Sequence, residues 1–161
     1  MANRTLVTGV GTAAAALLLV ATAVSAGTMF RLEIGPPVAG GTDFKLKGAA
    51  LVVRAVVCDD VATVRVTGTA EGMVNGQRQS LAVRLIETRT PGVYAVQQQW
   101  PAEGQWVLHL AGECRSPKAA ASTIVPMQKN GFIRAKTQVL REPATPAQVE
   151  TALVDLVRTQ S

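Results

Sequence analysis

The chain is poor in the residues that do chemistry. In 161 residues it has one histidine, His109, and two cysteines, Cys58 and Cys114. A nucleophilic triad needs a histidine beside a serine or cysteine and a carboxylate. Ser80 and Ser122 could supply a hydroxyl, but no motif ties either to His109. The expected role of His109 is that of a surface residue. Copper needs several sulfur or imidazole ligands, and His109, Met29, Met73 and Met127 are widely separated. Asp59-Asp60 is not followed by the regularly spaced oxygen ligands of a calcium loop. The pair reads as a turn capped by carboxylates. No glycine-rich phosphate loop occurs. Glu103 and Glu113 have nothing that marks a catalytic pair. No catalytic residue, metal or cofactor is expected.

Charge is missing from one region in particular. After Arg4 the next charged residue is Arg31. Within this gap lies AAAALLLVATAV, residues 13–24, followed by Ser25-Ala26-Gly27. A positive start, an apolar run and small residues at its end make a secretory signal. Val24 and Ala26 suit the small-residue positions before a cut between Ala26 and Gly27. The rival reading is an uncleaved helical anchor, since the uncharged stretch is long enough to span a bilayer. Thr5, Thr8, Gly9, Gly11 and Thr12 dilute that pattern. No cysteine stands at the cut, which argues against a lipid-modified N-terminus. The expectation is a signal helix at 1–26 and a secreted or periplasmic chain, with membrane contact only through an uncleaved signal.

Cleavage would remove Arg4 and leave 15 basic against 11 acidic residues, a net charge of +4. The basic residues are scattered, as in Arg54, Arg65, Arg78, Arg84 and Arg89. Nucleic-acid binding wants clustered charge with stacking groups and is not expected. Weak attraction to an anionic surface is compatible with this balance. In an exported chain an even pair of cysteines reads as one disulfide. A Cys58–Cys114 bridge would contribute about 4 kcal/mol through loop closure. The alternative is a pair of thiols for metal or redox work, though no CxxC is present.

What the chain does have is strand pattern. Residues 27–47 form a lead-in segment with turn signals at Gly35-Pro36-Pro37 and Gly40-Gly41. AALVVRAVVC, residues 49–58, is almost wholly apolar and reads as a central strand buried on both faces. In residues 61–70, Val64 and Val66 alternate with Thr63, Arg65 and Thr67. Asn75-Gly76 is a type I′ hairpin signal. In the next run Leu81, Val83 and Leu85 share one face, and Ala82, Arg84 and Ile86 the other. Pro91-Gly92 marks another turn. No helical periodicity appears between residues 49 and 114, which argues for an antiparallel β-sandwich over 48–142.

PGVYAVQQQWPAEGQWVLHL, residues 91–110, is the most legible stretch. Tyr94, Val96 and Trp100 share a parity, and so do Trp106, Leu108, Leu110 and Cys114. The chain turns between them at Pro101-Ala102-Glu103-Gly104. The large aromatics are therefore expected in the core, with Cys114 facing inward. A cysteine closing an early buried strand and another after a late strand suit an immunoglobulin-like bridge between sheets. Trp106, however, lies on the strand of the second cysteine, unlike in true immunoglobulin domains.

Pro91, Gly92, Val93 and Tyr94, then Pro101, Gly104, Trp106 and Leu108, resemble the closing pattern of YtkA-like and FixH-like domains. These are small exported β-sandwiches of bacteria, and the likeness covers roughly residues 48–112. It implies a fold with Tyr94, Trp100, Gly104 and Trp106 as its core signature. Some relatives of such domains occur near copper handling or cytochrome oxidase assembly, a role that no metal motif here matches.

After Cys114, RSPKAAAS reads as a loop. STIVPM, Asn130-Gly131 and FIRAKTQVL read as a hairpin or edge strands, with Pro126 suited to an edge. In the segment 143–161, Thr145, Pro146 and Gln148 form a capping box with proline at the first helical position. Val149, Ala152, Leu153, Leu156 and Val157 make one apolar face, and Arg158 suits the last turn. A helix is expected over 146–158, either docked on the sandwich or free to meet a partner. The leading expectation is a non-enzymatic exported interaction module with an envelope protein partner. The alternative is an accessory or metallochaperone-like protein in copper handling or oxidase assembly.

Overall fold

A computed structural model describes residues 29–37 and 48–160. The signal segment, with Ala26 and Gly27, lies outside the described residues. Among these residues ten strands form two antiparallel sheets, and one helix follows them. The first sheet holds β1 (Arg31–Gly35), β2 (Ala49–Val56), β6 (Val93–Gln97) and β5 (Leu85–Glu87), in that order. The second holds β10 (Gln138–Leu140), β8 (Ala119–Gln128), β7 (Gln105–Cys114), β3 (Arg65–Val74) and β4 (Gln77–Ala82), and β9 (Gly131–Phe132) pairs with β8. Helix α1 spans Pro146–Gln160.

The shared core lies between the sheets. The first supplies Leu32, Leu51, Val53, Tyr94 and Val96, and the second supplies Trp106, Leu108, Leu110 and Val125. On the second sheet large residues face small ones. Trp106, Leu108 and Leu110 of β7 lie directly opposite Gly72, Ala70 and Gly68 of β3. The small stripe makes room for the bulky side chains of its neighbour.

Three side-chain links join the layers. Cys58, just past β2, is bonded to Cys114 at the end of β7, with Cα atoms 5.8 Å apart. The Tyr94 hydroxyl on β6 donates to the Val64 carbonyl ahead of β3. Burial first, and then Glu87, raises the Tyr94 pKa above its ordinary value, which keeps it a donor. The buried Thr123 hydroxyl of β8 donates to the Leu32 carbonyl of β1 at 3.1 Å.

Helix α1 covers the outer face of the second sheet. Val149, Ala152, Leu153 and Leu156 pack on Val107 of β7 and Ile124 of β8. The capping box is formed: the Gln148 N–H donates to Thr145 Oγ1 at 3.3 Å, and the Thr145 N–H donates to Gln148 Oε1 at 2.7 Å. Arg78 on β4 donates to Glu150 of the helix and to Glu71 of β3, pinning the helix's polar side.

Several expectations need correction. The lead-in segment contributes a strand, β1, which pairs with β2 from Arg31–Val56 to Gly35–Val52. Strand β2 is interior to its sheet but buried on one face only, because among the described residues no element covers Arg54, Val52 and Val56 as the second sheet covers Leu51 and Val53. Residues 61–63 form a 3-10 turn, and the strand starts at Arg65. The run 80–87 breaks after Ala82 and crosses from the second sheet to the first. Strands β6 and β7 face one core from opposite sheets. RSPKAAAS is loop only in part, since β8 begins at Ala119. Nor is β8 an edge: it lies between β7 and the β9–β10 side. Pro126 is tolerated there because its carbonyl accepts from Ile133 N–H at 2.8 Å. In an antiparallel ladder a residue's N and O point the same way, so the missing N–H removes no bond to β7.

Candidate binding cleft

The two ends of the sheets differ. Strands β2 and β7 run from one end to the other and finish at the disulfide, where Asp59, Asp60 and Ser116 cluster. Asp60 Oδ1 accepts from the Ala62 N–H at 3.2 Å, and Asp59 Oδ2 accepts from the Ser116 hydroxyl at 2.8 Å. The carboxylates cap a turn, as the sequence pattern indicates. This end is closed.

The opposite end holds a cleft of about 740 Å³. Its first wall is the end of β1 and the start of β2: Pro36, Pro37, Gly48, Ala49 and Ala50. Here the β2–β6 register skips between Ala49 and Leu51, so Ala50 bulges toward the opening. The second wall is the β6–β7 connection, with Gln98, Trp100, Pro101, Ala102 and Gly104. The third is the β8–β9 hairpin and the turn after it, with Gln128, Lys129, Asn130, Phe132 and Arg134. Trp106 and Met127 form the inner boundary.

Local chemistry explains the shape. Gly104 has φ of +88°, and a Cβ there would lie 2.5 Å from the Met73 carbonyl oxygen. Only glycine fits both conditions. The turn delivers Trp106, whose Nε1 donates to the Glu103 carbonyl at 2.9 Å. Tyr94, Trp100 and Trp106 are all buried in the shared core. Both tryptophans therefore brace the cleft from behind. Arg134 stacks over Phe132, its Cζ 5.8 Å from the ring centroid, a geometry that favours a cation.

The described lining carries two cations, several amides, and aromatic and proline surface. It can bind and orient a ligand by stacking, hydrogen bonding and charge.

The other residues singled out in the sequence lie elsewhere. His109 faces outward from the core on β7, as its parity predicts, but it is not a surface residue. It is half-buried on the face that α1 crosses, and its Nε2 is enclosed without a hydrogen-bond partner. Burial lowers its pKa below 6.5, and Glu71 opposes that shift. Ser80 donates to Glu71 at 2.7 Å, and Ser122 donates to the Glu142 carbonyl at 2.7 Å. Neither hydroxyl is bonded to His109. Met127 is part of the inner core, on the other side of the sheet from His109, and Met29 is exposed. Among the described residues no three His, Cys, Asp or Glu side chains gather at one point, and no helix is long and apolar enough to cross a membrane.

The fold and cleft define a class: a mainly β, disulfide-bonded protein of two antiparallel sheets with a ligand-sized opening at one end. No protein-family model, curated protein or solved structure matches the chain.

Sequence reasoning missed the cleft because four separate segments build it. One signal of packing was available: Gly68, Ala70 and Gly72 recur at strand period and make a small-residue face that calls for large side chains opposite.

Proposed function

We propose that the chain is an exported, non-enzymatic interaction module of the cell envelope, an immunoglobulin-like β-sandwich of the YtkA-like and FixH-like kind. The observation that carries the reading is the cleft, whose described lining is rich in stacking, amide and cationic groups suited to binding. The disulfide supports the compartment, because such bonds persist where the surroundings are oxidising. The uncharged run before Gly27 supplies the export signal. The cleft meets a segment of an envelope protein, while the core aromatics hold its walls rigid.

The test is affinity capture from an envelope extract with the chain from Gly27 onward as bait. A specific protein retained by the wild type and lost by a Lys129→Glu/Arg134→Glu variant supports the reading. Tight capture of Cu(I) against a strong chelator, lost in His109→Ala, moves the assignment to metal handling instead. N-terminal sequencing of the envelope-extracted protein checks the compartment, with Gly27 as the expected first residue.

A further inference from the structure

The cleft's chemistry narrows what its occupant must be. Among the described residues its charged lining groups are both cations, Lys129 and Arg134. Both are exposed, and among the described residues neither is held in an ion pair. Stacking on Phe132 holds the Arg134 guanidinium in place, and a fixed guanidinium fork suits a carboxylate.

The backbone adds a second requirement. Pairing between β1 and β2 stops at Gly35–Val52. Pro36 and Pro37 have no N–H and cannot extend the ladder. Among the described residues, no strand pairs with Ala49–Leu51 on that side, and Ala49 and Ala50 line the cleft. An extended chain can add its own backbone to such a strand edge. The amides of Gln98, Gln128 and Asn130 lie around the same opening and suit further backbone contacts. Pro101 and Phe132 give the apolar surface against which an aromatic or proline side chain can rest.

We propose that the cleft takes an extended, acidic peptide segment of the partner protein, which pairs along Ala49–Leu51 and places its carboxylates on Lys129 and Arg134. This rests on the interaction reading and specifies its ligand.

The protein supplies its own reporter. Its two tryptophans, Trp100 and Trp106, both line the cleft. Tryptophan emission is followed while the mature chain is titrated with three peptides of equal length and equal proline and aromatic content. One is acidic, one neutral and one basic. The expected result is a saturable change with the acidic peptide, weakened by salt and weaker by about tenfold or more in Lys129→Glu/Arg134→Glu. That variant should keep the wild-type circular dichroism, since both residues are exposed. Equal response to acidic and neutral peptides overturns the acidic class and leaves a peptide site. No response to any peptide overturns the peptide site itself, and envelope capture then decides the interaction reading separately. An equal, charge-dependent response to anionic phospholipid vesicles overturns the proposal in favour of a membrane surface.

Discussion

The indole of Trp106 fills the space where Gly72 would carry a side chain. The two residues are directly opposed across β7 and β3, and a Cβ on Gly72 would fall 2.3 Å from Trp106 Cε3. Gly72→Ala must therefore displace a buried ring or separate two strands. The expected cost is about 1–3 kcal/mol, the range for overpacking a core, read as a lower denaturation midpoint with altered tryptophan emission. Gly35→Ala serves as the control, because a Cβ there meets nothing within 4 Å, and its midpoint should stay at the wild-type value.

Removing the bridge with Cys58→Ser/Cys114→Ser should cost about 2–5 kcal/mol. Denatured, unreduced wild-type protein should show no titratable thiol. A free pair would contradict the bond and return both cysteines to the list of metal ligands.

Leu153→Ala should cost about 2–5 kcal/mol, because Leu153 is fully enclosed between α1 and the outer face of its sheet. Arg78→Ala, which removes the ion pairs to Glu150 and Glu71, should cost less than about 1 kcal/mol, since these side chains are partly solvated. A helix docked only through its charges would reverse that order, and equilibrium urea unfolding of the two variants distinguishes the cases.

Stability should fall as the medium is acidified through the range where histidine takes up a proton. Burial holds the folded-state pKa of His109 below 6.5. The unfolded chain then binds the proton more readily, so acid favours unfolding. The contribution is fully present above about pH 6.5 and is lost as pH drops through the lower folded-state value. Because His109 is the sole histidine, thermal melts between neutrality and the carboxylate range isolate it. His109→Gln should flatten the dependence, and an unchanged slope in that variant would refute this account.

Local signals were legible where chemistry is local. Asn75 and Gly76, with φ of 50° and 75°, make the tight turn between β3 and β4 that their residue types demand. The Thr145–Gln148 capping box begins the helix where the pattern places it. The inward parity of Tyr94, Trp100, Trp106 and Cys114 was also readable, since alternation assigns a face. It does not assign a neighbour. Tyr94 and Trp106 reach the same core from different sheets, and nothing in their spacing says so. Ala119, Ala120 and Ala121 resemble loop because alanine is a weak strand former, yet pairing with β7 holds them extended. The enclosure of His109 was equally hidden, because the helix that crosses its face comes from the far end of the chain.

That arrangement has a consequence for the order of assembly. Helix α1 follows, in the chain, every strand that it covers. The ladder between β7 and β8 can form without the helix, and it then presents Val107 and Ile124 bare on its outer face. Until the helix docks, the folding protein carries an apolar patch that any other unfinished chain can cover.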